Sequence, residues 1–149
     1  MTVLVTGAAG FIGMNVSLAL MARGETVVGI DNLNDYYDVS LKEARLARLT
    51  SHNAFSFVRG DIGDADTLAE AGNGVDRIVH LAAQAGVRYS LENPGAYIQA
   101  NIVGHMNVIE LARAIMGKAN AGAPDRGVLR KASKPWMALA TNTCQTRNF

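Results

Sequence analysis

Cysteine is almost missing from this chain: Cys144 is the sole one among 149 residues. A lone thiol closes no internal disulfide, so the expected setting is a reducing cytoplasm. Cys144 also has no partner at metal-ligand or catalytic spacing, and no metal is expected. Charge of one sign is missing too. Fourteen Lys and Arg face thirteen Asp and Glu, for a net charge of +1. No strong field recruits nucleic acid or a membrane surface, so neither is an expected partner. No apolar run approaches the ~20 residues a bilayer needs. The first residues hold no basic stretch ahead of an apolar one, so no signal peptide is expected.

What is present is apolar and patterned. Hydrophobic residues make up 49% of the chain, enough for a sizeable core in one domain of this length. The start reads Met1-Thr-Val-Leu-Val-Thr-Gly-Ala-Ala-Gly-Phe-Ile-Gly13. Val3 to Val5 suit a buried parallel strand. From Phe11 to Ala22 the spacing turns helical, with Ile12, Val16 and Leu20 beside a stripe of Phe11, Leu18 and Met21. Gly7, Gly10 and Gly13 therefore fall at a strand-to-helix turn. Gly7 permits the sharp turn, Gly10 lets backbone approach a phosphate, and Gly13 lets helix pack on sheet. The first N–H groups of the helix then face a pyrophosphate.

Asp31 ends the next apolar run, Thr26–Ile30. A carboxylate there can accept hydrogen bonds from adenosine ribose hydroxyls and would repel the extra phosphate of NADP. No arginine lies between Gly29 and Asp38. The expected cofactor is NAD. The blander alternative is a turn residue after accidental glycines.

Further on, strands and helices alternate. Ser40 is expected to cap a helix to about Leu49, with Leu41, Ala44, Leu46 and Leu49 inward and Lys42, Glu43, Arg45 and Arg48 solvated. Strands follow at Phe55–Arg59 and Arg77–Leu81, with a short helix from Asp64 to Ala71 between them. Ala82–Asn93 reads as a loop, and Pro94 opens a long helix to about Met116. This is an α/β, doubly wound parallel sheet with expected strand order 3-2-1-4 and a ligand crevice between strands 1 and 4. Gly117–Gly127 is small, polar and turn-rich, and Val128–Phe149 shows no clean period; Ala138–Ala140 is its short apolar patch. The expected division is residues 1–116 as an incomplete dinucleotide-binding domain and residues 117–149 as a divergent tail.

Thr6-Gly-Ala-Ala-Gly-Phe-Ile-Gly13, Asp31-Asn32, Gly60-Asp-Ile62 and His80-Leu-Ala-Ala83 occur at the spacings of one family. In these motifs the chain resembles the extended short-chain dehydrogenase/reductases, which have a Rossmann fold and include NAD-dependent nucleotide-sugar epimerases and dehydratases. Asp31-Asn-Leu-Asn-Asp-Tyr-Tyr-Asp38 and His80 through Pro94 resemble the UDP-glucuronate 4-epimerase branch. The resemblance covers roughly residues 2 to 114. It implies that Gly7, Gly10, Phe11, Ile12 and Gly13 surround the pyrophosphate. Asp31 and Asn32, with Lys42 nearby, would hold the adenosine ribose, and Asp61 and Ile62 would flank the adenine. Leu81, Ala82, Ala83 and Gln84 would line the path to the nicotinamide, with Asn101 in the adjoining hydrogen-bond network. Arg88 and Ser90 would face a nucleotide-sugar substrate, and full-length relatives would form homodimers. Each has a plainer alternative: Asp61 as a strand end, Arg88 as a solvated loop cation, Asn101 as a helix-surface amide. His80 reads as a core histidine, and Tyr36, Tyr37 and Asp38 as loop surface.

The family's chemistry uses a tyrosine followed four residues later by lysine, whose charge lowers the phenol pKa. The tyrosines here are Tyr36, Tyr37, Tyr89 and Tyr97, followed at that distance by Ser40, Leu41, Asn93 and Asn101. No residue is therefore assigned a catalytic role. A fifth strand bearing serines is expected after the long helix, and Val128–Phe149 shows none. The simplest expectation is that the chain leaves the family pattern near Ile115–Gly117. Strand 4 would then be left with an open apolar edge, the tail would be poorly ordered, and the chain would self-associate.

Overall fold

A computed structural model describes residues 1–121 and 138–139 of the chain. Five parallel strands form one sheet: β1 (Thr2–Thr6), β2 (Thr26–Asp31), β3 (Phe55–Arg59), β4 (Arg77–His80) and β5 (Ala138–Leu139). Their order is β3-β2-β1-β4-β5. The first four strands stand in the order 3-2-1-4 that the alternation of strands and helices predicts.

β1 is central because its side chains are apolar on both faces. Leu4 joins Ile30, Ile62, Leu68, Ile78 and Val108 in one core layer. Val3 and Val5 turn to the opposite face with Ala8 and Val27. Alternate residues thus feed two layers, as a strand covered on both sides requires. Each fully buried Val or Leu contributes about 1.5–3 kcal/mol.

α1 (Phe11–Ala22) ends where Gly24 turns at φ +82°. Its buried face is Gly13, Met14 and Ser17. Phe11 and Ile12 are 68% and 44% exposed, so the expected apolar stripe is only partly a core stripe. α2 (Val39–Thr50) is capped by Asp38, whose side chain accepts from the Ser40 amide, two residues earlier than expected. Here the inward and outward residues also differ from the sequence reading. Leu41 is 52% exposed and Lys42 is 7% exposed, while Leu49 is fully buried as expected.

α3 (Ala65–Ala71) is capped by Asp64, whose carboxylate accepts from the Asp66 and Thr67 amides. The segment read as a loop, Ala82–Asn93, contains α4 (Val87–Glu92). α5 (Pro94–Tyr97) runs into a π-helical segment, Ile98–Gly104, and then α6 (His105–Ala121). Pro94 opens α5 as expected, but the long helix is broken by the π-segment and continues to Ala121, past the expected turn at Gly117.

The open edge expected on β4 is not seen. Val79 and His80 pair with Ala138 and Leu139. The pairing segment belongs to the short apolar patch of the tail, Ala138–Ala140. A buried apolar edge strand gains ladder hydrogen bonds from any extended apolar partner it can reach. Residues 122–137 and 140–149 of the tail, including Cys144, lie outside the described residues. Among the described residues no helix is long and apolar enough to cross a membrane, and no group of three metal-ligating side chains comes together.

Candidate functional site

A cavity of about 740 Å³ lies along the carboxyl ends of the strands. That volume is in the usual range for a cofactor or substrate site. Its lining follows the sheet order. Asp31, Asn32, Asp61 and Ile62 come from the ends of β2 and β3; Gly7, Gly10, Phe11, Ile12 and Gly13 come from the β1–α1 turn. Leu81, Ala82, Ala83 and Gln84 come from the end of β4. Thirteen of the fourteen residues expected to hold a dinucleotide therefore share one cavity, at the point where the strand order reverses.

The turn is built by its own hydrogen bonds. The Gly7 and Ala8 amides donate to the Ile30 carbonyl at 2.8 and 3.3 Å, and Gly10 donates to the Gly7 carbonyl at 3.0 Å. Gly7 sits at φ +70°, and a Cβ there would lie 2.9 Å from the Ala82 amide nitrogen. The turn thus rests directly on the wall that follows β4. A Cβ on Gly10 would meet only the Gly7 carbonyl oxygen, at 3.1 Å, with nothing else within 4 Å. Gly10 is the N-cap of α1, without a side-chain cap and without an acidic residue in the first turn. The amides of Phe11, Ile12 and Gly13 have no intrahelical acceptor and are free to meet an anion.

Asp31 is buried and held by backbone on two sides. Its Oδ2 accepts from Ala9 N at 3.1 Å and its Oδ1 from Leu33 N at 2.9 Å. Each oxygen keeps a further lone pair. The charge is balanced by Lys42, whose Nζ lies 4.0 Å from Oδ1. Nζ donates to the Asn34 carbonyl at 2.9 Å and to Asn34 Oδ1 at 2.7 Å. A buried lysine needs such partners, and here they also fix the loop after β2. Asn32 Nδ2 donates to Asp61 Oδ2 at 2.8 Å, joining the ends of β2 and β3.

Several lining residues were not apparent in the sequence. Tyr36, Tyr37 and Asp38 line the cavity, as do Asn34, Leu41, Arg45, Ala85 and Ala100. The loop after β2 borders the cavity: Tyr37, 59% exposed, and Asp38 remain surface residues as expected, while Tyr36 is half-buried and departs from that reading. The Ser40 hydroxyl and amide beside Asp38 hold its carboxyl below the usual carboxylate range. The signal that could have found this loop is the one-turn spacing of Leu41 and Arg45 with Asp38 before them, which sets one helix face toward the site.

Three expected site residues lie elsewhere. Asn101 does not line the cavity. It clips the wall from behind: its Oδ1 accepts from Gln84 N and its Nδ2 donates to the Gln84 carbonyl, both at 2.9 Å. Arg88 and Ser90 sit on α4 outside the lining, with the Ser90 hydroxyl donating to the Val87 carbonyl at 2.6 Å. His80 is buried as expected, 5.2 Å from the His105 ring. Burial, and then the nearby His105, pull its pKa from 6.5 to about 4.

Comparison with known proteins agrees with this architecture. The family model for GDP-mannose 4,6 dehydratase matches residues 4–123. UDP-glucuronate 4-epimerase 1 of Arabidopsis thaliana is 54% identical over 115 residues, which are 76% of this chain and 27% of the relative. A probable UDP-glucuronate 4-epimerase of Rhizobium meliloti is 51% identical over 120 residues, 79% of this chain and 35% of the relative. Among solved structures, UDP-glucuronic acid 4-epimerase from Bacillus cereus, in complex with UDP-glucuronic acid and NAD, superimposes with TM-score 0.70 at 36% identity. It covers 76% of this chain and 36% of that one. The chain thus spans between a quarter and somewhat over a third of the relatives it matches.

Proposed function

The chain belongs to the GDP-mannose 4,6-dehydratase family, and from that premise we propose that it is the NAD-holding part of a UDP-glucuronate 4-epimerase. The observation that carries the proposal is the continuous cavity wall. It runs from Asp31 and Asp61, across the glycine turn, to Leu81–Gln84.

The residues fit a dinucleotide. A Cβ on Gly10 would meet only the Gly7 carbonyl oxygen, so the bare backbone there leaves the approach to three free helix amides clear, and this suits a pyrophosphate. The spare lone pairs of Asp31 suit the adenosine ribose hydroxyls. Lys42 is committed to Asn34 and Asp31, so it offers no free cation to a 2′-phosphate. The fold does bring Arg45 to the cavity from α2, beyond the window in which the sequence shows no arginine. The buried Asp31 carboxylate still makes NAD the preferred cofactor.

When bound, NAD supplies hydride acceptance and return at C4 of a nucleotide sugar. This chain's residues bind and orient. The α1 amides and Gly10 hold the pyrophosphate, Asp31 orients the ribose, and Leu81–Gln84 wall off the second nucleotide. The proton at the sugar hydroxyl needs a base. Among the tyrosines none is followed four residues on by lysine, so the chain alone binds cofactor without turnover. Val87, Leu91, Ile98, Ile102 and Met106 expose large apolar surface, which fits self-association. A nucleotide-sugar 4,6-dehydratase is the second reading, favoured by the name of the matching family model. Calorimetric titration of NAD into the wild-type chain and Gly10→Val tests the site. Binding by the first and its loss in the second are expected; equal affinity refutes the assignment.

A further inference from the structure

One buried hydroxyl joins the two halves of the cavity. Thr6, fully buried at the end of β1, accepts at Oγ1 from Leu81 N at 3.0 Å and from Ala82 N at 3.1 Å. Both donors belong to the wall that follows β4. The same oxygen lies 2.7 Å from His80 Nδ1. A hydroxyl accepts two hydrogen bonds and donates one. With both lone pairs taken by amides, its proton goes to Nδ1. His80 must then be neutral, with its own proton on Nε2. Burial against His105, which holds the His80 pKa near 4, agrees with that state.

We propose that His80 is a positioning residue for cofactor binding: by accepting the Thr6 proton at Nδ1 it fixes the hydroxyl that anchors the Leu81–Ala82 wall. The wall is tied nowhere else as closely to β1. Gly7, the residue after Thr6, already abuts Ala82 with no room for a Cβ. A turned hydroxyl would leave two buried amides without their acceptor, and the wall would move off the glycine turn. The effect is local to one end of the site. Asp31 and Asp61 lie at the β2–β3 end, and Leu81–Gln84 at the β4 end, on the far side of β1. The latch therefore acts on the second nucleotide and not on the adenosine half. This inference rests on the proposal that the cavity holds NAD.

The experiment titrates the full chain with NAD and with AMP and records the ring nitrogen shifts of His80 by NMR. Thr6→Val and His80→Leu are expected to weaken NAD about tenfold, as a 1.4 kcal/mol loss would, and to leave AMP within a factor of two. Thr6→Ser, which keeps the hydroxyl, and His80→Asn, whose Oδ1 replaces Nδ1 as acceptor, are expected to restore NAD affinity to within about threefold. The wild-type ring is expected to show a protonated Nε2 and a bare Nδ1. Equal weakening of NAD and AMP, failure of both rescuing variants, or a protonated Nδ1 would overturn the latch. Should a variant not fold, the wild-type ring signals still decide it. A wild-type chain that binds neither nucleotide would sink the NAD proposal instead.

Discussion

Gly7→Ala separates the cost of a backbone angle from the cost of a contact. Gly7 (φ +70°), Gly24 (φ +82°) and Gly74 (φ +72°) all adopt left-handed backbone. An alanine at any of them carries a conformational penalty of about 1–2 kcal/mol. At Gly24 and Gly74 a Cβ would meet nothing within 4 Å, so that penalty is the whole effect. At Gly7 the Cβ would stand 2.9 Å from Ala82 N, 3.0 Å from Ala82 Cα and 3.1 Å from the Leu81 carbonyl carbon. All three are backbone atoms of one wall, which cannot swing aside as a side chain can. Overpacking of this kind adds about 1–3 kcal/mol. At about 3 °C per kcal/mol for a chain of this size, Gly24→Ala and Gly74→Ala should lower Tm by about 3–6 °C and Gly7→Ala by about 6–15 °C. The second readout is NAD affinity by calorimetry. The two distant variants should bind as the wild type does, and Gly7→Ala should bind at least about tenfold more weakly because its wall is displaced. Matching Tm shifts and matching affinities for all three would refute the reasoning.

Other outcomes follow from the same geometry. Gly10→Val should lower Tm by only about 2–4 °C, since φ −71° and ψ 166° suit valine and its Cβ meets only the Gly7 carbonyl oxygen, at 3.1 Å, while NAD affinity falls about a hundredfold or more by calorimetry. His80 gives a pH dependence. The unfolded ring binds its proton near 6.5 and the native ring near 4, so stability from this group is full above pH 6.5 and falls as pH drops toward 4. The span is about 3 kcal/mol, and urea midpoints at pH 7, 5.5 and 4.5 should show it in the wild type and much less of it in His80→Asn. Incubation of the chain with NAD and UDP-glucuronate should yield no UDP-galacturonate above a no-protein control, as chromatography would show.

The legible parts of this molecule are those that local chemistry dictates. Gly7 and Gly13 announce the turn because a Cβ at either would strike backbone, and Gly10 keeps the approach to the helix N-terminus open. Val3–Val5 and Thr26–Ile30 announce buried strands through continuous apolar runs, and Asp31 is marked by its place at the end of one. What escaped reading depends on where elements dock. Lys42 and Leu41 exchange their expected environments because α2 turns a face toward the cavity loop, and helical spacing alone does not say which face meets the core. Tyr36 looks polar and local, yet it is half-buried at the cavity, in a loop that Lys42 pins through Asn34. Ile98–Gly104 has the composition of an ordinary helix. Its π-form is tertiary, coincident with the Asn101 clip on Gln84. Ala138–Leu139 is only two residues long, too short for any periodic signal.

The central claim is that this cavity holds NAD through Asp31 and the glycine turn. Competitive calorimetric titration of the full chain with NAD and NADP, repeated on Asp31→Ser, tests it most directly. The account predicts one NAD per chain, NADP at least about tenfold weaker, and a smaller gap between the two in the variant, because its 2′-phosphate meets no carboxylate. Equal affinity of the wild type for the two cofactors, or no binding of either by a folded chain, would contradict it.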